Sequence, residues 1–248
     1  MTLIIAAAQS TSIAGEIASN VVRHLRFGAI AAEHGAQLLV FPELSLTGYE
    51  PGVARSNAVC PEALVLDSLR CLAQGAHMTV VVGAPMLNDR DELYIAALAI
   101  RPDGSTLIYT KEYLHPGEEQ TFVPGSGGPA FLIGDTNVAL AICADTTHSQ
   151  HPAAAAARGA NVYAAGVLVT RNGYDADTTL LKSYALEHGM AVLMANYSGF
   201  TGGWASAGRS AIWSEDGKLV AASDATDETL VIGRKKYGVW DGMVLPVT

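Results

Sequence analysis

Half of the 248 residues are hydrophobic and 16% are charged, so the chain can bury a large core and is too apolar for wholesale disorder. Fifteen basic against 24 acidic residues leave a formal charge of −9 with no Lys/Arg cluster, which argues against nucleic acid or an anionic membrane as partner. Three cysteines (Cys60, Cys71 and Cys143) in no CxxC spacing do not make a disulfide framework and fit a reducing, cytoplasmic setting.

Leu3 to Gln9 reads as a buried strand; it has no basic residues before it and is too short for a signal-peptide core. No segment approaches the roughly 18–20 apolar residues of a membrane span. Ile13 to His34 carries helical spacing, with Ile17, Val21 and Leu25 on one face and Gly35 as its C-terminal stop. Leu38 to Phe41 is the next strand, and Pro42-Glu43 opens a loop containing Gly48, Pro51 and Gly52. Pro61 to Gly75 reads as a second helix. Met78 to Pro85, Glu92 to Ile100 and Ser105 to Thr110 follow as strands joined by the turns at 88–91 and 101–104.

Residues 111–129 form a long irregular stretch, a length that points to function or to disorder. Phe131 to Ile133 and Val138 to Ile142 read as a hairpin around Gly134-Asp135. Beyond it come a helix over 153–159, a strand over 162–165, a helix over 175–188 and a strand over 191–195. A glycine-rich loop at 198–203 and short strands over 210–213, 219–222 and 229–232 complete the pattern. No linker or composition break divides the chain, so residues 1–248 read as one domain. Near-continuous apolar strands mixed with hairpins predict an α/β architecture, a mixed sheet or two packed sheets with helices outside.

Three apolar strands end in residues with strong chemistry: Glu43 after Val40-Phe41-Pro42, Lys111 after Ile108-Tyr109-Thr110, and Cys143 after Ala141-Ile142. A thiol where a strand gives way to a helix suits a nucleophile, because the helix N-terminus favours thiolate. It equally suits a small buried hydrophobe. A carboxylate can take the thiol proton and later activate water. An ammonium can stabilise the thiolate and the oxyanion, with the Ala144 N–H as a second oxyanion donor. Each residue alone also has a structural reading, Glu43 as a loop acceptor and Lys111 as a solvated strand-end cation.

Taken together, three segments resemble the nitrilase superfamily of carbon–nitrogen hydrolases. They are Phe-Pro-Glu-Leu-Ser-Leu-Thr-Gly-Tyr (41–49), Tyr-Thr-Lys-Glu-Tyr-Leu (109–114) and Ala-Ile-Cys-Ala-Asp (141–145), in the family's order. Gln9, 122–125, 158–160, Asn196, 208–210 and 216–217 match further habitual positions. The resemblance implies a four-layer αββα sandwich, paired into a homodimer or higher oligomer, that acts without cofactor or metal. It implies Cys143 as nucleophile, Glu43 as general base and Lys111 as oxyanion stabiliser, acting with water on a small amide or N-carbamoyl compound rather than a nitrile. A thioester forms, and ammonia or an amine leaves. A second glutamate seven residues before the glycine of a Pro-Gly pair selects Glu118, with Glu119 as the alternative; its expected task is to orient substrate or Lys111.

The chain departs from the family where Ala144 replaces a bulky aromatic and Thr146-Thr147-His148 replaces an arginine-bearing segment. Tyr49, Ala144, His148 and Trp204 are the candidate substrate-binding residues. Arg55 and Arg171 could bind a substrate carboxylate or serve the surface. Cys143, His148 and His151 could be read as zinc ligands, but one cysteine and no fourth ligand argue against a metal. A Cys143–histidine dyad would need His148 to point back at the sulfur. Gly199 to Gly203 lacks the Lys-Ser/Thr of a phosphate loop and suits a pocket mouth. Acyl transfer to an amine, or a silent binding protein on the same fold, remain as rival functions.

Overall fold

The computed structural model describes residues 2–224 and 226–248. The N-terminal half runs β1 (Thr2–Gln9), α1 (Ile17–Glu33), β2 (Leu38–Val40), α2 (Pro51–Ala54), α3 (Asp67–Ala76), β3 (Thr79–Leu87), β4 (Leu93–Ile100) and β5 (Thr106–Thr110). Next come β6 (Phe131–Ile133), β7 (Thr136–Ile142), a 3₁₀ turn at Cys143–Thr147, α4 (Gln150–Ala157), β8 (Val162–Val167), α5 (Tyr174–His188) and β9 (Ala191–Asn196). The chain then passes through β10 (Phe200–Thr201), β11 (Trp204–Ala205), β12 (Ala211–Trp213), β13 (Leu219–Ala222), β14 (Thr229–Lys236) and β15 (Val239–Pro246).

One sheet has the order β15-β14-β1-β2-β3-β4-β5 and the other β13-β12-β9-β8-β7-β6. Each is mixed: β1, β2 and β3 are parallel neighbours, as are β7, β8 and β9, and the flanking pairs are antiparallel. Strand alternation sorts the apolar residues into three cores. Ile5, Leu38, Val40, Val81 and Ile95 of one sheet meet Leu140, Ile142, Val162, Leu193 and Ile212 of the other. On the outer face of the first sheet, Ala6, Leu39, Val80 and Val82 pack on Val21, Phe27 and Ala31 of α1 and on Leu69 and Ala73 of α3. On the outer face of the second, Ala141, Tyr163, Ala165 and Met194 pack on Ala155 of α4 and on Leu181 and Ala185 of α5. The result is a four-layer αββα sandwich. Both faces of each sheet are covered, which is why its strands read as unbroken apolar runs.

Differences from the sequence reading have local causes. The second helix begins at Asp67 rather than Pro61, after a separate turn at Leu64–Leu66. Helix α2 and strand β15 are additional elements. In β15 the exposed positions and the interior Asp241 and Gly242 mask any alternation, and the strand exists because β14 extends to Lys236 and pairs with it along its length. Among the described residues no helix is long and apolar enough to cross a membrane.

Candidate active site

The three chemically active strand exits belong to two sheets. Glu43 follows β2 and Lys111 follows β5 in the first sheet, whereas Cys143 follows β7 in the second. The sandwich brings their ends together. Lys111 is buried, its backbone N–H donating to Ile95 O at 2.9 Å and its carbonyl accepting from Gly125 N at 2.7 Å. Its Nζ donates to Glu43 Oε1 at 2.6 Å and to both oxygens of Glu118 at 2.8 Å. Glu118 sits in a 3₁₀ turn at Glu118–Gln120 and is further fixed by Tyr49 Oη donating at 2.8 Å and by His115 N at 2.8 Å. Glu119 is exposed and only accepts from Gly117 N. Of the two glutamates, the structure therefore brings Glu118 to the lysine.

Backbone geometry holds these groups in place. Leu44 and Cys143 both have left-handed backbones, at φ 51 and φ 43, strain that non-glycine residues adopt only where the surroundings impose it. The 41–44 segment is clamped between two strand glycines. A Cβ at Gly83 would lie 2.2 Å from Leu44 N, and one at Gly166 would lie 2.6 Å from Phe41 O. Isolated glycines in apolar strands signal such close approach, a cue passed over in the sequence reading. Gly166→Ala is expected to lower stability by about 1–3 kcal/mol, measured by urea unfolding, because the nearest atoms are backbone and cannot rotate away.

Asp145 is the other residue without an assigned role in the sequence reading. Fully buried, its carboxylate accepts from Tyr109 Oη at 2.7 Å and Ile142 N at 2.9 Å with one oxygen, and from Glu112 N at 3.0 Å and Tyr113 N at 2.9 Å with the other. It thereby locks the cysteine turn to the lysine loop. The signal was present as an acidic residue three positions after the strand-end Ile142, the spacing of a side chain that returns to cap its own turn.

One cavity of about 480 Å³ collects Glu43, Glu118 and Cys143 with Tyr49, Ala144, His148 and Trp204. All four candidate binding residues thus share a pocket with the cysteine, and two of the lining residues, Glu43 and Glu118, hold the Lys111 ammonium. Trp204 is half exposed at the rim. His148 stacks on Tyr113 at 3.9 Å and its Nδ1 lies 3.0 Å from Ala144 O. His151 is turned into the protein, between Tyr109 Oη and Tyr163 Oη. Neither histidine is placed as a base for the thiol, and the described residues contain no cluster of three or more side chains arranged to hold a metal ion. Arg55 pairs with Asp91 at the surface, and neither it nor the exposed Arg171 lines the cavity. Trp213 is buried in the outer core, and Trp240 donates to Glu215.

The electrostatics correct one expectation. Cys143 opens a five-residue 3₁₀ turn, with α4 starting only at Gln150, so no long helix dipole aims at the sulfur. Burial, with the negative charge of Glu43 beside it, pushes the thiol pKa well above its usual value, and Lys111 offsets only part of this. That direction favours the thiol over the thiolate. Burial also raises the Glu43 carboxyl to about 7 against the opposing pull of Lys111. Lys111 stays protonated although burial works against its charge, because Glu43, Cys143 and Glu118 outweigh that penalty. One carboxylate oxygen, Glu43 Oε2, is buried without a hydrogen-bond partner. The Cys143 thiol is among the groups acting on that carboxyl.

The family model for carbon–nitrogen hydrolases matches residues 4–238. The chain belongs to the carbon–nitrogen hydrolase family. It superposes on the amidase from Nesterenkonia sp. AN1 with a TM-score of 0.84 at 27% identity, over 93% of this chain and 92% of that one. In that structure, of a mutant, acrylamide has undergone Michael addition at the active-site cysteine. A second mutant of the same amidase, also with a TM-score of 0.84 and 27% identity over 93% of this chain and 89% of that one, holds butyramide. By sequence the chain is 27% identical over 202 residues to a probable nitrilase of Schizosaccharomyces pombe, covering 78% of this chain and 73% of that protein. It is 26% identical over 239 residues to a glutamine-dependent NAD(+) synthetase of Thermotoga maritima, spanning 92% of this chain but only 39% of the synthetase.

Proposed function

We propose that this protein hydrolyses small carboxamides through a thioester on Cys143, with Glu43 as general base and Lys111 as oxyanion stabiliser. The observation that carries the reading is the unpartnered, buried Glu43 Oε2, on a carboxyl that interacts with the Cys143 thiol and whose other oxygen is held by Lys111. A carboxylate with a pKa of about 7 and one free oxygen suits a base that must accept the thiol proton and later release it.

As the sulfur adds to the amide carbon, the thiol proton passes to Glu43 Oε2. Charge develops on the amide oxygen, where the Lys111 ammonium and the Ala144 N–H, which the turn itself leaves without an acceptor, stabilise it. Collapse breaks the C–N bond, and Glu43 gives its proton to the departing nitrogen. Water then attacks the thioester, losing a proton to Glu43, and the acid leaves as Cys143 regains its hydrogen. Glu118 holds Lys111 in place and does not touch the reacting atoms in this scheme. Amides are favoured over nitriles because the structural neighbour is an amidase, mutants of which hold an acrylamide adduct on the cysteine and bound butyramide.

The test is intact-protein mass spectrometry after incubation with small amides, alongside assay of released ammonia. The expected result is ammonia release with a fluoroacetamide-derived adduct on Cys143 that Cys143→Ala lacks. Absence of ammonia and of any adduct across a panel of short amides would leave a silent binding protein as the better reading.

A further inference from the structure

The carboxylates on the cavity floor are already committed: Glu43 and Glu118, both buried, share the Lys111 ammonium. A third carboxylate in the same wall is not. Asp177, in the first turns of α5, lines the cavity, and among the described residues no hydrogen bond or ion pair reaches its side chain. It is half-buried, and its Oδ2 would lie 3.3 Å from a Cβ at Gly173, so the missing side chain there leaves the carboxylate room against the cavity wall. Desolvation raises its pKa, and the one neighbouring group that counters this is the imidazole of His115 across the cavity. An acidic residue near a helix N-terminus also complements the helix dipole, but the exposed Asp175 in the same turn serves that purpose without entering a pocket.

Among the described residues no lysine or arginine lines the cavity. With Glu43 ionised for turnover, the Glu43–Lys111–Glu118 floor carries one more negative than positive charge, so an anionic substrate tail would meet like charge at the floor and again at Asp177. Trp204 stands at the half-exposed rim, an aromatic surface of the kind that attracts ammonium and guanidinium groups. Pro51, Leu114, Leu168 and Val169 supply apolar wall for an alkyl stem. The cavity volume of about 480 Å³ falls in the ordinary range for small-ligand sites.

We propose that the cavity selects amides whose acyl chain ends in a positively charged group, held by the Asp177 carboxylate with the Trp204 indole at the rim. This rests on the amide-hydrolase reading above and narrows its substrate class. It also disfavours N-carbamoyl amino acids, whose carboxylate has no cation to meet.

Three amides of matched length test it with the purified chain at pH 8, above the ordinary imidazole range of about 6.5: 6-aminohexanamide, hexanamide and the monoamide of adipic acid. The expected order of kcat/KM is cationic over neutral over anionic, with the first ratio about fivefold, the upper end for a single partly exposed charge contact. Asp177→Asn is expected to bring the cationic-to-neutral ratio close to one, and Asp177→Glu to retain it. Because the readout is a ratio within one variant, partial unfolding does not change its meaning. A wild-type ratio near one, or a ratio that Asp177→Asn leaves unmoved, overturns the selection while hydrolysis stands. No hydrolysis of any of the three, with no adduct on Cys143, overturns the hydrolase reading and this one with it.

Discussion

Glu43→Gln is expected to lower kcat/KM for a good amide substrate by about 10²–10⁴-fold at pH 8, the usual range for loss of a general base. Glutamine keeps the volume of the side chain and can still accept the Lys111 Nζ hydrogen bond with its amide oxygen, so the folded chain should persist. What disappears is the free oxygen that accepts the thiol proton. The same residue sets the expected pH profile. Burial raises its carboxyl to about 7, so below that pH the protonated fraction grows and cannot take a proton from Cys143. The logarithm of kcat/KM therefore falls with a slope near one as pH drops below about 7, an acid limb two to three units above that of an ordinary carboxylate. Glu43→Gln should show a low rate without that limb. A wild-type limb near pH 4.5, or an unchanged limb in the variant, would assign the base elsewhere.

A second consequence concerns the thiol. Its raised pKa means that Cys143 should react slowly with a simple alkylating reagent at neutral pH, although it is not fully buried. Proton removal is then coupled to substrate attack through Glu43 rather than completed beforehand. The sequence pointed the other way because a strand followed by polar residues resembles the entry to an α-helix. Thr146 and Thr147 instead bond back to the carbonyls of Cys143 and Ala144 and close a tight turn.

That contrast marks what could be read from residues alone. Glu43, Lys111 and Cys143 stood out because each follows an apolar strand, where a sheet exposes chemistry, but that position alone suited a structural role equally well. The resemblance of the three segments to a known family is what singled them out together. Glu118 was singled out by its spacing from a Pro-Gly pair, with Glu119 as the alternative, and the turn that buries the first and exposes the second brings Glu118 to the lysine. The pocket walls were not legible. Residues 168–170 reach the cavity because Asn196, from the next strand, bonds Val169 through both its N–H and its carbonyl, and because Thr170 bridges Ser206. Those contacts join residues far apart in the chain, and no local pattern encodes them. Asp177 was hidden for a related reason: on a helix with acidic residues in its first turn, nothing distinguishes the carboxylate that faces a cavity from one that faces water.

Lys111→Met should reveal how much of the fold rests on this single cation. Lys111 is fully buried between two carboxylates, and removing it leaves both without their counter-charge. Breaking a buried ion pair from one side lowers stability by about 3–5 kcal/mol, because the remaining charge is stranded in a poor solvent. The loss should depend on pH. Glu43 already sits at about 7 with Lys111 pulling it down, so without the lysine its folded-state value rises further above the value in the unfolded chain. Such a group contributes stability that is complete below the unfolded value and is lost as pH rises through the folded one. Lys111→Met should therefore lie closest to the wild type at about pH 5, where Glu43 is protonated, and fall furthest below it at about pH 8. Urea unfolding at the two pH values measures the difference. Adding Glu118→Gln should recover part of the loss at pH 8 but none of the activity, since the oxyanion still has no ammonium to meet. Equal destabilisation at both pH values would mean that packing of the lysine stem, and not its charge, is what the fold needs at this position.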